Sequence, residues 1–411
     1  MGHSKLLMFW LAILPILSIY KSPFLFSWAE VLFIILFAIS YNTVKSKGLF
    51  YWTKEYKLYW FYIAISFFIA CTEYGYIYQA ILPGGVAFFL FSIELGYCSK
   101  RLNIHLLYKY MRWVTIWAII VLILQELWFI LFGVRFSGLI PFGTLTDGLP
   151  MSDLMQTQVY ADRSCSIFRE PAHFAQYLLV VLALELFWKL KVKIYSHFAL
   201  FVVFGLMLLK SGNGLLGLAL LAVIKVWTYI RNKKGYSKYV VIMALMLVGT
   251  LAVYYYITTS EGDKTISRIS EFERDERSKS YIRIYRGYDL WIDLPSRYKL
   301  IGTNNDGIIH AIETSNISYL FTGDRESDLY FNGIQGLLLH TGCLGFLLLL
   351  FYIIPVYRES DYLQKSLLLL LLVISFVAQM FLAPTMLYSY IIAISGYYEK
   401  RIQHNRKSLI V

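Results

Sequence analysis

Arg163, Arg169, Glu170 and His173 fall within eleven residues, Arg163 to His173, immediately ahead of a long apolar run. Pro171 suits the first turn of a helix, where its missing N–H would have been unsatisfied in any case. The segment therefore marks a loop turning into a helix. A helix start offers unpaired N–H groups and the positive end of a dipole, which together receive anions. The planar donors of Arg163 and Arg169 suit phosphate oxygens. This is chemistry for a polyanion such as a lipid diphosphate. The competing reading pairs Arg169 with Glu170 or with lipid headgroups, and leaves Glu170 to complement the dipole.

Three further groups have types and spacing that can do chemistry. Lys210-Ser211-Gly212-Asn213-Gly214 is a tight turn whose lysine and glycines can form an anion-binding nest, or simply a snorkelling lysine beside a helical hairpin. Arg277, Arg283 and Arg286 precede Pro295 and Gly302. Within 279–293, Ile282, Tyr285 and Tyr288 share one helical face, as expected of an amphipathic helix lying over the mouth of a helix bundle. Asp328, Asn332 and Gln335 lead into an apolar run containing Gly342 and Gly345, a pattern for close helix approach around a polar pocket. Glu94, Glu126 and Glu185 fall in or near apolar segments, where carboxylates are functional suspects. Lys189, one turn after Glu185, is its expected partner, and Glu126 has none in sequence. The chain has no Walker A loop, no HExxH, no CxxC and no metal-ligand cluster, so no metal or other cofactor is expected.

The elements that must position these groups are membrane helices. Of the 411 residues, 58% are hydrophobic and 16% charged, too apolar for a soluble domain. Apolar segments near the length needed to cross a bilayer recur at 6–20, 24–41, 58–74, 81–98, 112–133, 172–190, 197–210, 215–230, 239–257, 333–356, 366–383 and 386–398. The expectation is an all-α polytopic membrane protein of about twelve spans. Lys and Arg concentrate in 42–57, 99–111, 191–196, 231–238, 357–365 and 399–411, which places both termini and these loops in the cytoplasm. Two long segments, 134–171 and 258–332, then lie outside, and the second holds half of the acidic residues. A net charge of +12 spread over helix ends is membrane topology, so no nucleic-acid partner is expected.

Taken in order, these motifs resemble the Wzy-type O-antigen and exopolysaccharide polymerases and the related O-antigen ligases. In that superfamily a pattern R-x-x-G-x-F-x-(E/N)-P opens a helix after an outer loop. Arg163 to Pro171 is similar, with Ser166 in the usual glycine position. Ser211 to Gly217 resembles a later serine turn, with Asn213 where arginine is common. Arg283-Ile284 followed by Pro295 and Gly302 resembles the arginine element of the large outer loop. Asn332, then nine residues, then Gly342 and Gly345 resembles the ligase pattern, with Phe331 in place of its histidine.

The resemblance implies a metal-independent glycosyltransferase of GT-C-like fold in the bacterial inner membrane. It would join polyprenyl-diphosphate-linked oligosaccharides outside the cytoplasm, among membrane lipids, beside a flippase and a chain-length regulator. Arg163, Arg169, Lys210, Arg277, Arg283, Arg286, Asn332 and Gln335 would bind the diphosphate and glycan. Glu170, His173, His310 and Asp328 are the candidates for acid–base work. Phe331 favours polymerase over ligase. Transfer of glycan to a lipid A core, or flipping of the lipid-linked oligosaccharide, are the alternative activities. The Arg283 segment is expected to close over the Arg163–His173 entrance.

Overall fold

The computed structural model describes residues 2–24, 26–44, 50–74, 86–140, 144–145, 151–159, 163–190, 196–232, 281, 284–324, 328–378 and 384–408. In chain order these form α1 (Gly2–Leu17), β1 (Tyr20–Lys21), α2 (Trp28–Val44), α3 (Lys54–Tyr74), α4 (Val86–Arg101), α5 (Ile104–Phe132), β2 (Thr144–Leu145), α6 (Met151–Val159), α7 (Pro171–Ala183), α8 (His197–Leu208) and α9 (Gly212–Asn232). They continue with α10 (Arg286–Asp293), α11 (Ser296–Ile301), α12 (Asn305–Thr314), α13 (Gly333–Glu359), α14 (Tyr362–Ser375) and α15 (Pro384–Ser408). Among the described residues the regular structure is helical apart from a two-residue antiparallel ladder, Tyr20 to Leu145 and Lys21 to Thr144, and one isolated bridge, Lys21 to Ser27. That ladder ties the 134–171 segment to the connection between α1 and α2.

Four helices among the described residues are long and apolar enough to cross a membrane: Ile104–Phe132, Pro171–Lys189, Gly212–Asn232 and Gly333–Glu359. Shorter apolar helices cover Ser4–Leu17, Trp28–Tyr41, His197–Leu208 and Tyr362–Ser375. The expected span 239–257 lies outside the described residues, as does the start of 81–98.

α7 is the hub of the bundle. Every residue from Phe174 to Ala183 is buried, and the helix packs against α5, α8, α9, α14 and α15. Its last turn widens into a π-helix, Leu184–Lys189. The carbonyls freed there accept two bonds from the buried Lys225 of α9, whose Nζ lies 2.6 Å from the Leu186 oxygen and 2.7 Å from that of Leu190. The wider turn also explains a departure from the sequence reading. Glu185 does not meet Lys189; it accepts from Tyr108 and, at 2.5 Å, from Ser196, while Lys189 lies over Trp188. Five-residue hydrogen bonding turns side chains four apart away from each other.

α1 carries Pro15, which has no N–H for the Leu11 carbonyl. Tyr388 of α15 donates to that oxygen at 2.6 Å, and Tyr177 of α7 donates to the next, Ala12, at 3.0 Å. A proline that would leave an orphan carbonyl in an apolar core thus becomes the point where three helices are joined.

α13 is broken. Gly342 has φ 63° and ψ −173°, a conformation essentially reserved for glycine. An added Cβ there would stand 2.3 Å from the Leu300 oxygen, so the end of α11 enters the gap. The carbonyls released by the break are taken up again. Thr303 N–H donates to Leu339 O at 2.9 Å, and Tyr62 of α3 donates to Thr341 O at 2.8 Å. Ser66, one turn further along α3, donates to Ile301 O at 2.7 Å. A segment of the large loop is in this way bound between α3 and α13. Above it a second small core forms from Leu290, Leu294, Ile308, Ile312, Phe331 and Leu339.

Candidate functional site

The Arg163–Pro171 loop is held by two buried glutamines. Gln125 of α5 accepts from Ser166 N at 2.8 Å and donates to Phe136 O at 2.9 Å. Gln158 of α6 donates to Arg169 O at 3.0 Å and accepts from Ser137 at 2.7 Å. Ser166 itself has φ 57°, the left-handed region that glycine enters without strain. Its hydroxyl donates to Ala118 O at 2.6 Å, an anchor that glycine would lack. Phe168 stacks on Phe174, with ring centroids 4.6 Å apart, and this fixes the loop against the first turn of α7.

An ion pair between the buried Arg135 and the half-buried Glu126 secures the base of the loop. Arg135, just beyond α5, approaches Glu126 at 3.3 Å and lies over the Phe129 ring at 3.7 Å. Ser164 donates to Glu126 at 2.6 Å and accepts from Arg135 Nε at 2.8 Å. Glu126 therefore has the partner that its sequence neighbourhood did not offer. Cys165, buried between these groups, has its thiol pushed up to about 12, chiefly by desolvation and then by the Glu170 carboxylate.

From this platform Arg163 projects into the open and donates from Nη1 to the Lys210 carbonyl at 3.2 Å. Lys210 has φ 47°, so its turn is tight enough to present that oxygen outward. The two basic turns read separately in sequence thus meet, one at the start of α7 and the other at the start of α9. Pro171 occupies the first turn of α7, and Glu170 precedes it with a carboxylate that does not fold back to cap the helix. Arg169 and His173 are half-buried on this loop and first turn, while Arg163, Glu170 and Lys210 are exposed. The arrangement offers two cations and a helix dipole to an anion approaching from outside.

The remaining expected residues form a second group, within the large loop. Arg286 is fully buried. It faces Asp328 at 3.8 Å, donates to Tyr330 O at 3.3 Å, and lies 4.6 Å from the centroid of Phe321. Burial pulls its pKa down and the Asp328 charge opposes that. Asp328 also accepts from Thr322 N at 2.8 Å, Thr322 Oγ1 at 3.0 Å and Gly323 N at 2.8 Å. Asn332 and Gln335 make the reciprocal cap of α13. Gln335 extends to donate to Ile284 O at 2.8 Å, which docks the segment before α10 onto that helix start. His310 is exposed on α12. In this group Arg286, Asp328, Asn332 and Gln335 are spent on holding the loop together. Arg277 and Arg283 lie outside the described residues, and so does the expected closure over the α7 entrance.

Sequence reasoning missed Gln125, Arg135 and Gln158. For Arg135 a signal existed: it follows the glycine that ends α5 and stands nine residues after Glu126. Among the described residues no cluster of His, Cys, Asp and Glu could hold a metal ion. No protein-family model and no curated protein matches the chain.

Proposed function

We propose that this protein is a repeat-unit polymerase of the Wzy type: a membrane glycosyltransferase that extends polyprenyl-diphosphate-linked oligosaccharides on the outer face of the bacterial inner membrane. The observation that carries this reading is the Arg163–Lys210 junction. It brings the exposed Arg163, on a loop held by two buried glutamines, to the backbone of the exposed Lys210 at the start of the adjacent helix. Ser166 supports the reading because it adopts the backbone conformation that the resembled motif provides for with glycine. The finer architecture belongs to the same proposal: twelve spans, a GT-C-like arrangement, cytoplasmic termini, and a flippase and chain-length regulator as partners.

In the reaction the anomeric C–O bond to the diphosphate breaks and the electron pair leaves with the phosphate oxygen. The acceptor hydroxyl of a second lipid-linked unit takes its place. Fixed cations stabilise charge developing on the leaving diphosphate without reorganising. A hydrogen bond to a charged group contributes about 1.5–3 kcal/mol, so Arg163→Ala should slow elongation by roughly one to two orders of magnitude.

The test is purified protein in nanodiscs with lipid-linked repeat units, the products resolved on a gel. The wild type should give a ladder and Arg163→Ala a much slower one. Full-rate elongation by an inserted Arg163→Ala variant would remove the site assignment. Lipid translocation without elongation by the wild type would replace the polymerase by a transporter, and glycan passed to a lipid A core would make it a ligase.

A further inference from the structure

α5, α7 and α8 pack on one another, and at the end remote from the Arg163 loop they meet around one indole. α5 reaches that loop through Gln125 and Glu126, near its C-terminus, so its first turns lie at the opposite end of the bundle. There Trp188, in the π-turn that closes α7, packs edge-on against His105 and Tyr108 of α5, with ring centroids 4.6 and 5.4 Å away. Lys189 brings its Nζ to 5.4 Å from the centre of the same ring. Arg112, one turn beyond Tyr108, lies 4.5 Å from the centroid of Phe198 on α8.

His105, Lys109 and Arg112 follow one another at spacings of four and three, so they share a face of α5. All three are exposed, and so is Lys189. None of the four makes an ion pair among the described residues. Glu185, packed beneath them, is buried and accepts from the hydroxyls of Tyr108 and Ser196 instead. Three positive charges and an imidazole therefore face outward with no anion to answer them. Trp113 and Trp117 follow Lys109 at four-residue spacing toward the middle of the helix, and both are exposed. Exposed indoles settle at the boundary between headgroups and acyl chains. Cations followed by aromatic rings match a phospholipid read from its phosphate to its chains. The charge bias that orients spanning helices needs basic loops, but it needs neither cations on a common helix face nor rings packed beneath them.

We propose that this patch binds the headgroup of an anionic phospholipid in the leaflet opposite the Arg163–Lys210 junction. Arg112 and Lys189, from different helices, take the phosphate, and the lipid clamps α5 and α7 together at that end. Basic surfaces between spanning helices bind acidic headgroups in this way. Each cation near the membrane surface strengthens such binding by about fivefold, so Lys109, Arg112 and Lys189 together give a preference of about a hundredfold over a zwitterionic lipid with the same chains. The proposal is independent of the polymerase reading.

The experiment titrates phosphatidylglycerol or phosphatidylcholine into the full-length protein in detergent and counts bound lipid by native mass spectrometry. The wild type should prefer phosphatidylglycerol by about a hundredfold, and Arg112→Gln/Lys189→Gln should retain a preference of only about fivefold. A charge-matched control, Lys54→Gln/Arg358→Gln, removes two exposed cations from α3 and α13, which carry none of the patch, and should bind as the wild type does. Equal affinity of the wild type for the two lipids would overturn the proposal without recourse to any variant. An unchanged preference in Arg112→Gln/Lys189→Gln would overturn it as well, and so would an equal loss in the control, which would reduce the patch to the general field of a basic helix end. Displacement of phosphatidylglycerol by millimolar inorganic phosphate would show that the cations take any phosphate, and would also overturn a lipid site.

Discussion

Two glycines of α13, six residues apart, should respond in opposite directions to the same substitution. At Gly342 an added methyl meets the Leu300 oxygen at 2.3 Å in a backbone conformation that only glycine adopts readily. The conformation alone costs roughly 1–3 kcal/mol for any other residue. The contact cannot relax without parting α11 from α13. That puts at risk the bonds from Thr303 N to Leu339 O and from Tyr62 and Ser66 to Ile301 O. Losing two or three bonds at about 1 kcal/mol each brings the total for Gly342→Ala to roughly 3–6 kcal/mol. At Gly336 nothing lies within 4 Å of an added Cβ. Helical glycine is worse than alanine by about 0.5–1 kcal/mol, so Gly336→Ala should be neutral or slightly stabilising. Thermal inactivation of the two variants in one detergent, followed as a rate because membrane proteins commonly unfold irreversibly, should separate them widely. Hydrogen exchange should show loss of protection at Thr303 in Gly342→Ala alone. Equal inactivation rates together with an unchanged Thr303 amide would refute the insertion of α11 into the break.

The buried pair in the large loop should respond asymmetrically. Asp328→Ala takes the facing carboxylate from Arg286, which is fully buried, and should cost about 3–5 kcal/mol. Arg286→Met leaves Asp328 with its three other donors and should cost less; the reverse order of thermal stabilities would contradict the bonding described. The Cys165 thiol, raised to about 12 from an ordinary value of 9, should resist maleimide in the folded protein at neutral pH and react once the loop is unfolded. Because the unfolded chain loses this proton first, the contribution of Cys165 to stability is intact below about pH 9 and declines as pH rises from there toward 12. Rapid labelling of native Cys165 at pH 7 would show that the loop is open.

What the sequence revealed follows from the range over which each signal acts. Pro171 sets its own φ and lacks its own N–H, so the start of α7 is written locally and the structure begins the helix there. The pattern from Asn332 through Gln335 to the glycines is local in the same sense, and it yields a capped helix start followed by a close approach. Glu185 misled because the four-residue rule assumes an α-helix, and the π-helix that defeats it is bonded by Lys225, forty positions away. Gln125 and Gln158 were invisible for a related reason. Gln125 is a lone glutamine in an apolar helix and Gln158 one of several polar residues in a short one; neither makes a pattern, and the purpose of each appears only when the backbone of a loop is folded against it.

That last case bears on how the cationic entrance can work. Arg163 carries a long, mobile side chain, and a mobile cation stabilises a leaving group poorly, since ordering it at the moment of reaction costs entropy. The backbone beneath it is fixed at Ser164 by Glu126 and Arg135, at Ser166 by Gln125, and at Arg169 by Gln158. None of these three attachments uses the Arg163 side chain, so the guanidinium remains available while its origin is immobile. The fourth constraint, the bond from Nη1 to the Lys210 carbonyl, uses a donor at only one end of the fork and leaves the others for a ligand. Buried backbone groups in any loop need such partners; on the polymerase reading proposed above, those beneath Arg163 would also serve as the supports of its binding surface.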